Sequence, residues 1–495
     1  MCAVYHKTAN GGVWYNTSVM KKAKLFWIVF GAGLALRVVF WCCQSAPEGD
    51  DGLRYLSEAY NMVRNGVFST EFFAKNPVNP APSAHDLPLY ASVLAAFYWL
   101  TDSLRATQLL AGALNILLCA LGALALRALL KDRPFALSER QMALGCAVYM
   151  FMPESIAYSM FHMPDQLAVT SVLVGLLFYF KATTSGLRHL VGAVAAFLVA
   201  LYAKPICLPL ALALLAALVL LLKGAWWKRV AVVALCFAAV GASLWPWTLR
   251  NERVYGTRGL TTISGTNLYF YNWGWFVDAR PAAEQAPLRA DMDAFRQTIE
   301  GDDEMRQSQK MGAYAREKIV AHLPQYLVHT AKTHPLLYTG TGTAALFRYF
   351  GREDLRDCLN AMIYPVLKSA VGEVGNWGKG IKDSYAAAQG KSWTLGEKVF
   401  SASAQLFSWA FLVFGYVLVW TGIVRGFLRV RRATDDRLSA WLVYLCPILC
   451  LVLLAAVIGP VVAPRYRIIM LPFFAILAAQ ASSCMRRAPS RSRCE

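Results

Sequence analysis

Along most of the chain the apolar residues come in long unbroken runs, and the polar residues gather in short interruptions between them. A hydrocarbon core about 30 Å thick is crossed by about 20 apolar helical residues, with somewhat shorter runs tolerated. The pattern therefore predicts an all-α polytopic membrane protein with about ten (eight to thirteen) crossings. They fall near 25–43, 106–130, 141–160, 166–181, 189–203, 205–222, 229–247, 400–424, 438–458 and 468–483. The run Leu87 to Leu100 is short for a crossing and reads as a juxtamembrane or re-entrant helix in the first outer loop. Two stretches break the apolar pattern, 44–105 and 248–399. Within the second, Tyr314 to Leu323 has the period of an amphipathic helix fit to lie on the interface.

Composition agrees with this picture: 57% of the 495 residues are hydrophobic and only 16% are charged. The net charge of +19 could suggest nucleic acid, but the basic residues sit mainly in short loops between apolar runs. Lys131, Arg133 and Arg140, then Lys181 and Arg188, then Lys223, Lys228 and Arg229, then Arg425 to Arg437, and finally Arg486 to Arg493 all fall on one side. By the positive-inside rule that side is cytoplasmic, and both termini with it. The first apolar run follows Lys21, Lys22 and Lys24 and resembles a signal peptide, but the many later spans favour a signal anchor. Of the twelve cysteines, Cys119, Cys146, Cys207, Cys236, Cys446 and Cys450 lie inside apolar segments, so they read as small core hydrophobes.

The chain then divides into a cytoplasmic tail (1–24), a transmembrane catalytic module (25–247) with its outer loop 44–105, an extracytoplasmic or interfacial segment (248–399), C-terminal crossings (400–483) and a basic cytoplasmic tail (484–495). No cytoplasmic loop is long enough for a nucleotide-sugar domain, and 248–399 lacks a strand-turn-helix nucleotide motif. The outer face is where chemistry is expected.

The first outer loop carries Asp50-Asp51, with Tyr55 and Glu58 on the same helical face as Asp51. The Asp50-Asp51 pair serves either as a helix cap or as a catalytic base. Asp165, after Pro164, lies in a turn too short to need a charge for solubility. It reads as an N-cap for the helix from Gln166 or as a functional carboxylate. His85 and Asp86, with Asp51 and Asp165, are candidates to surround a divalent metal ion, whereas His162 reads as an interfacial histidine. Outer-side cations run against the orientation rule. Lys204, Arg250, Arg465 and Arg467 either snorkel to headgroups or grip an anion such as a lipid phosphate. Arg37, inside the first span, is expected to pair with an acidic residue or to snorkel.

Four segments together resemble GT-C glycosyltransferases of the protein O-mannosyltransferase and lipid A aminoarabinose transferase type. They are Asp51-x-x-x-Tyr55 with N-M-V-R-N-G-V-F-S at 61–69, Met163-Pro164-Asp165, P-W-T-L-R-N at 246–251, and R-Y-R at 465–467. Their order and common face match that family over nearly the whole chain, though each motif alone is short. The resemblance implies a GT-C fold and transfer of a hexose or pentose from a polyprenyl-phosphate donor to a lipid, glycan or protein acceptor on the extracytoplasmic face. A multi-pass protein of a bacterial inner membrane is the expected setting. It implies Asp51 as base or essential acid, Asp165 as its partner, and Arg250 as a contact to donor phosphate or sugar, with Tyr55, Lys204, Arg465 and Arg467 also expected at the donor. One departure stands out: the family often has an acid and a lysine before a proline pair, where this chain has His85-Asp86-Leu87-Pro88, so Lys204 or Arg465 is expected to stand in for the lysine.

The chemistry fits these residue types independently. Displacing a polyprenyl phosphate from an anomeric carbon needs a base for the acceptor proton and cations for the departing phosphate. A single base implies inversion, and Asp165 as a nucleophile would imply retention. A flippase for lipid-linked saccharides and a polyprenyl-pyrophosphate glycan ligase remain alternatives. The absence of a convincing internal repeat and the long 248–399 segment weigh against the flippase.

Overall fold

A computed structural model describes residues 17–44, 50–132, 134–371, 385–386, 391–432, 437–461 and 463–482. Among these residues no strand forms. The helices are α1 (Thr17–Cys42), α2 (Asp50–Arg64), α3 (Pro88–Thr101), α4 (Leu104–Lys131), α5 (Glu139–Phe151), α6 (Pro153–Tyr158), α7 (Asp165–Ser185), α8 (His189–Ala203), α9 (Cys207–Leu221) and α10 (Trp226–Tyr255). They continue with α11 (Ile263–Asn267), α12 (Gly274–Asp278), α13 (Ala282–Thr298), α14 (Glu304–Ala321), α15 (Leu323–Thr339), α16 (Thr343–Tyr349), α17 (Glu353–Val371), α18 (Leu395–Arg432), α19 (Arg437–Ile458) and α20 (Leu471–Gln480).

Among the described residues five helical segments are long and apolar enough to cross a membrane: Lys24–Cys42, Leu104–Lys131, Asp165–Ser185, Trp226–Tyr255 and Leu395–Leu428. Shorter apolar helices accompany them at Pro88–Thr101, His189–Ala203, Cys207–Leu221 and Leu445–Ile458. Lipid-facing surface is evident on α18, where Leu406, Phe407, Val413, Phe414, Val417 and Trp420 are all exposed. Residues 1–16 of the expected tail 1–24, and all of the expected tail 484–495, lie outside the described residues, as do 433–436 within the basic Arg425 to Arg437 stretch.

Two expected crossings are interrupted. The run 141–160 begins well, with a capping box in which Ser138 and Gln141 satisfy each other's free backbone groups at the start of α5. It then breaks at Met152, which leaves helical geometry (ψ 133°) ahead of Pro153, the first residue of α6. The run 468–483 is a tight three-ten turn over Pro464–Met470 followed by α20, every residue of which is buried.

The break after Met152 explains Arg37. That side chain is fully buried and neither snorkels nor meets a carboxylate. It donates instead to Ser159 Oγ (3.0 Å), Ser155 Oγ (2.8 Å), Met150 O (2.9 Å) and Gly33 O (3.0 Å), and of these Met150 O is a carbonyl that the break leaves without its helical partner.

The main core joins α4, α5, α7, α8 and α20 through buried residues such as Leu126, Tyr149, Leu173, Phe197, Ile469 and Phe473. The 248–399 segment has a second core, in which Tyr269, Trp273 and Phe276 pack on Met292, Met311 and Ala315. Within the expected amphipathic stretch Ala315 is fully buried in this core, whereas Val320 and Leu323 are exposed. Gly265 lets α11 lie directly on α14: a Cβ at that position would come within 2.0 Å of Ser308 O. The run 87–100 is helical as expected; α3 packs on α2 and α4, burying Tyr90, Leu94 and Tyr98.

Candidate active site

The polar first loop folds into α2 because its strong amphipathic period gives it one face to bury against α3. Asp51 lies in the first turn, where a carboxylate also suits the helix dipole. Gly52 follows it and opens space for His162 from the turn before α7: a Cβ there would lie 2.6 Å from His162 Nε2. Burial pushes the His162 imidazole down to about 4, so it is neutral at ordinary pH.

Four distant segments converge at Asp51. Arg465, from the turn before α20, bonds Asp51 Oδ2 through Nη1 and grips Asp165 through Nε (3.2 Å) and Nη2 (3.0 Å). Lys204, at the end of α8, bonds the other oxygen of Asp165. On the opposite side Arg54 bonds Asp51 Oδ1 at 2.5 Å and, through Nε, Asp86 Oδ2 at 2.7 Å; Tyr55 OH donates to Asp86 Oδ1 at 3.1 Å. The result is a line of alternating charge, Lys204, Asp165, Arg465, Asp51, Arg54, Asp86.

Exposure along the line is uneven. The Asp165 side chain has none, Asp86 has 3%, Lys204 14%, Arg465 16% and Arg54 20%, whereas Asp51 has 36%. Asp51 is the most accessible member of the line, flanked by the less exposed Arg54 and Arg465. Burial alone would raise the Asp51 carboxyl, but Arg465 and then Arg54 outweigh it and hold it well below the usual carboxylate range.

Asp165 is the first residue of α7, yet its side chain makes no capping bond; both of its oxygens go to cations. Glu58 follows Tyr55 by three residues on α2 and is fully buried, with neither carboxyl oxygen bonded. Burial, reinforced by the nearby Asp86 carboxylate, raises its pKa far above the ordinary value.

The other expected residues lie outside this line. Arg467 belongs to a buried ion pair: it donates to both oxygens of Glu154 (2.8 and 2.7 Å) and to Leu337 O and Gly340 O. Its donors are turned inward, so it anchors the turn before α20 to α6 and α15 and presents none of them to a donor phosphate. Arg250 donates to Ser83 O (2.8 Å) and stacks over Trp247, which braces the first loop against α10. It does not contact Asp51 or Asp165.

His85 and Asp86 do not share a ligand set. Asp86 is engaged by Arg54 and Tyr55, whereas His85 Nδ1 lies 3.5 Å from Thr262 Oγ1 and 4.0 Å from Glu304. Among the described residues no group of three or more His, Cys, Asp or Glu side chains is arranged to hold a metal ion. These donors do not fit the expected metal, and no step is derived through one.

Sequence reading missed Arg54, although its i,i+3 spacing from Asp51 is the usual signal for a helical ion pair. It also gave no role to Glu58.

No family model and no curated protein matches the chain. Among solved structures it is similar to ArnT from Cupriavidus metallidurans bound to undecaprenyl phosphate, with a TM-score of 0.35 and 14% identity over 89% of this chain and 77% of that one. The apo state of the same protein gives 0.35 and 15% over 92% and 77%. A likeness at that level says nothing about chemistry, which the side chains have to carry.

Proposed function

We propose that this chain is a membrane glycosyltransferase with a GT-C fold. It moves a sugar from a polyprenyl-phosphate donor to a lipid, glycan or protein acceptor on the extracytoplasmic face, with Asp51 as general base. The observation that carries this reading is the partly exposed Asp51 carboxylate, the most accessible member of the line of charges, bonded to a guanidinium that can also take a phosphate.

In this reading the donor phosphate competes with Asp51 for Arg465, whose planar fork suits phosphate as well as carboxylate. Losing that contact restores basicity to Asp51, so the base is switched on when the donor binds. Asp51 then takes the proton of the acceptor hydroxyl or amine as it attacks the anomeric carbon. The bond from that carbon to the phosphate oxygen breaks, and the electron pair leaves with the phosphate, stabilised by Arg465 and Lys204. Asp165 has both oxygens held and no exposed surface. It positions the two cations and is a poor nucleophile, which favours inversion at the sugar carbon.

The test is transfer from a polyprenyl-phospho-sugar by purified protein supplied with membrane extract as acceptor, comparing the parent with Asp51→Asn. Loss of a general base lowers the rate by about 10²–10⁴, and survival of full activity would remove Asp51 from this role. If no donor supports transfer but lipid-linked sugar crosses sealed vesicles, a transporter takes the place of the enzyme.

A further inference from the structure

A cavity of about 800 Å³ opens in the 248–399 segment between the end of α13 and the start of α14, and the first outer loop closes its floor. That volume suits a small-molecule headgroup. Its walls carry hydroxyls from Thr262, Thr266 and Ser308, amides from Gln297 and Gln307, and the ring of Phe270 with the Arg296 guanidinium 5.8 Å from its centre. Three carboxylates, Asp293, Glu300 and Glu304, face that single arginine. His85 adds no positive charge at neutral pH, because burial lowers its pKa.

The sign matters in a protein of net charge +19, because the pocket opposes the overall field. A phosphate placed here would meet more carboxylate than guanidinium. Sugar hydroxyls would find both donors and acceptors, and an ammonium group would find carboxylates. Asp293, Gln297 and Glu300 are exposed, and among the described residues their side chains make no hydrogen bond or ion pair. They are free to turn to a ligand.

The cavity is also wired to the charge line. Glu304 accepts from Thr262 Oγ1 (2.7 Å), Ser83 Oγ (3.2 Å) and the Ala84 backbone N–H (3.2 Å), which fixes the loop ahead of His85. The next residue, Asp86, holds Arg54, and Arg54 holds Asp51.

We propose that this cavity is the acceptor pocket and that it takes a neutral or cationic polyhydroxylated headgroup, a sugar or amino sugar, and not an anionic one. The assignment rests on the transferase reading above. It goes further by naming a second site, separate from the phosphate grip, and the chemistry that fills it.

Saturation-transfer NMR on the full chain in detergent, with glucose, glucosamine and glucose 6-phosphate as probes, tests the ligand class. Glucose and glucosamine should give signals and glucose 6-phosphate should not; equal binding of the phosphate overturns the assignment. The double variant Asp293→Asn with Glu300→Gln should weaken glucosamine about tenfold. In the transfer assay it should raise the acceptor KM by a similar factor while the donor KM stays fixed. If transfer proceeds and neither glucosamine binding nor acceptor KM responds to the double variant, the pocket assignment falls and the transferase stands. If sugars bind and the variant weakens them but no donor supports transfer, the transferase falls and a sugar-binding pocket remains.

Discussion

Arg465 and Asp165, 300 residues apart in sequence, form a two-point contact, with Nε at 3.2 Å and Nη2 at 3.0 Å from the same carboxylate oxygen. This contact is the hinge of the site, since Arg465 also holds the accessible Asp51 and Asp165 also holds Lys204. The buried carboxylate is therefore structural ballast for two cations whose other duty is at the surface.

Replacing Asp165 by Asn should destabilise the protein by about 3–5 kcal/mol, because it leaves the largely buried Lys204 without a counter-charge and Arg465 with Asp51 alone. Asp51→Asn removes a partly exposed group whose two cations keep Asp165 and Asp86, so it should lower the melting temperature less than Asp165→Asn does. Thermal unfolding in detergent compares the two directly, and equal melting temperatures would contradict the ranking.

Arg467→Met alone should be strongly destabilising, since it leaves the Glu154 carboxyl fully buried without its partner. Adding Glu154→Leu should recover much of that loss, because a buried pair replaced by apolar residues is often tolerated. A double-mutant cycle in melting temperature reads the coupling, and an additive cycle would mean the pair is not structural.

Asp51 carries a pH signature. Its folded pKa lies below the ordinary 3.8, so its contribution to stability is fully present above about pH 4 and is lost as pH falls through the lower folded value. The free enzyme should accordingly show no acid limb in kcat/KM for the donor above pH 5 that belongs to this group. Arg465→Gln should move such a limb up toward the ordinary carboxylate range, along with a large loss of rate. A pH profile of the residual activity checks it.

Glu58 predicts the opposite slope. A carboxyl with a raised folded pKa binds its proton more tightly when folded, so its stabilising contribution is present below the ordinary 4.5 and fades as pH rises toward the folded value. Glu58→Gln mimics the neutral acid and should make the protein relatively more stable than the parent as pH is raised from 5 to 9. Parallel melting curves for the two across that range would show that Glu58 is not held neutral.

Much of the fold was legible because long apolar runs encode helices through length alone, and the first loop declared itself through the polarity around Asp51. The break at Met152 was less visible, since Met152-Pro153 sits inside an apolar run and Pro is also tolerated at helix starts. Arg467 was misread for a related reason. An arginine at an outer boundary looks the same in sequence whether it faces lipid phosphate or a buried Glu154, and only the return of the chain past α6 and α15 decides. Glu58 was seen on the right face of α2, but its burial comes from α3 and the Asp86 loop packing over it, a tertiary effect that helical spacing does not carry.

The bond between Asp51 and Arg465 also sets an order for biogenesis. Asp51 emerges early in synthesis, and its guanidinium partner follows 414 residues later. Until then Asp165 and Lys204 have only each other among the three, and a chain interrupted before residue 465 would present the acid with Arg54 alone to hold it in check. Synthesis of the turn that carries Arg465, rather than of the loop that carries Asp51, is the step that completes the line of charges.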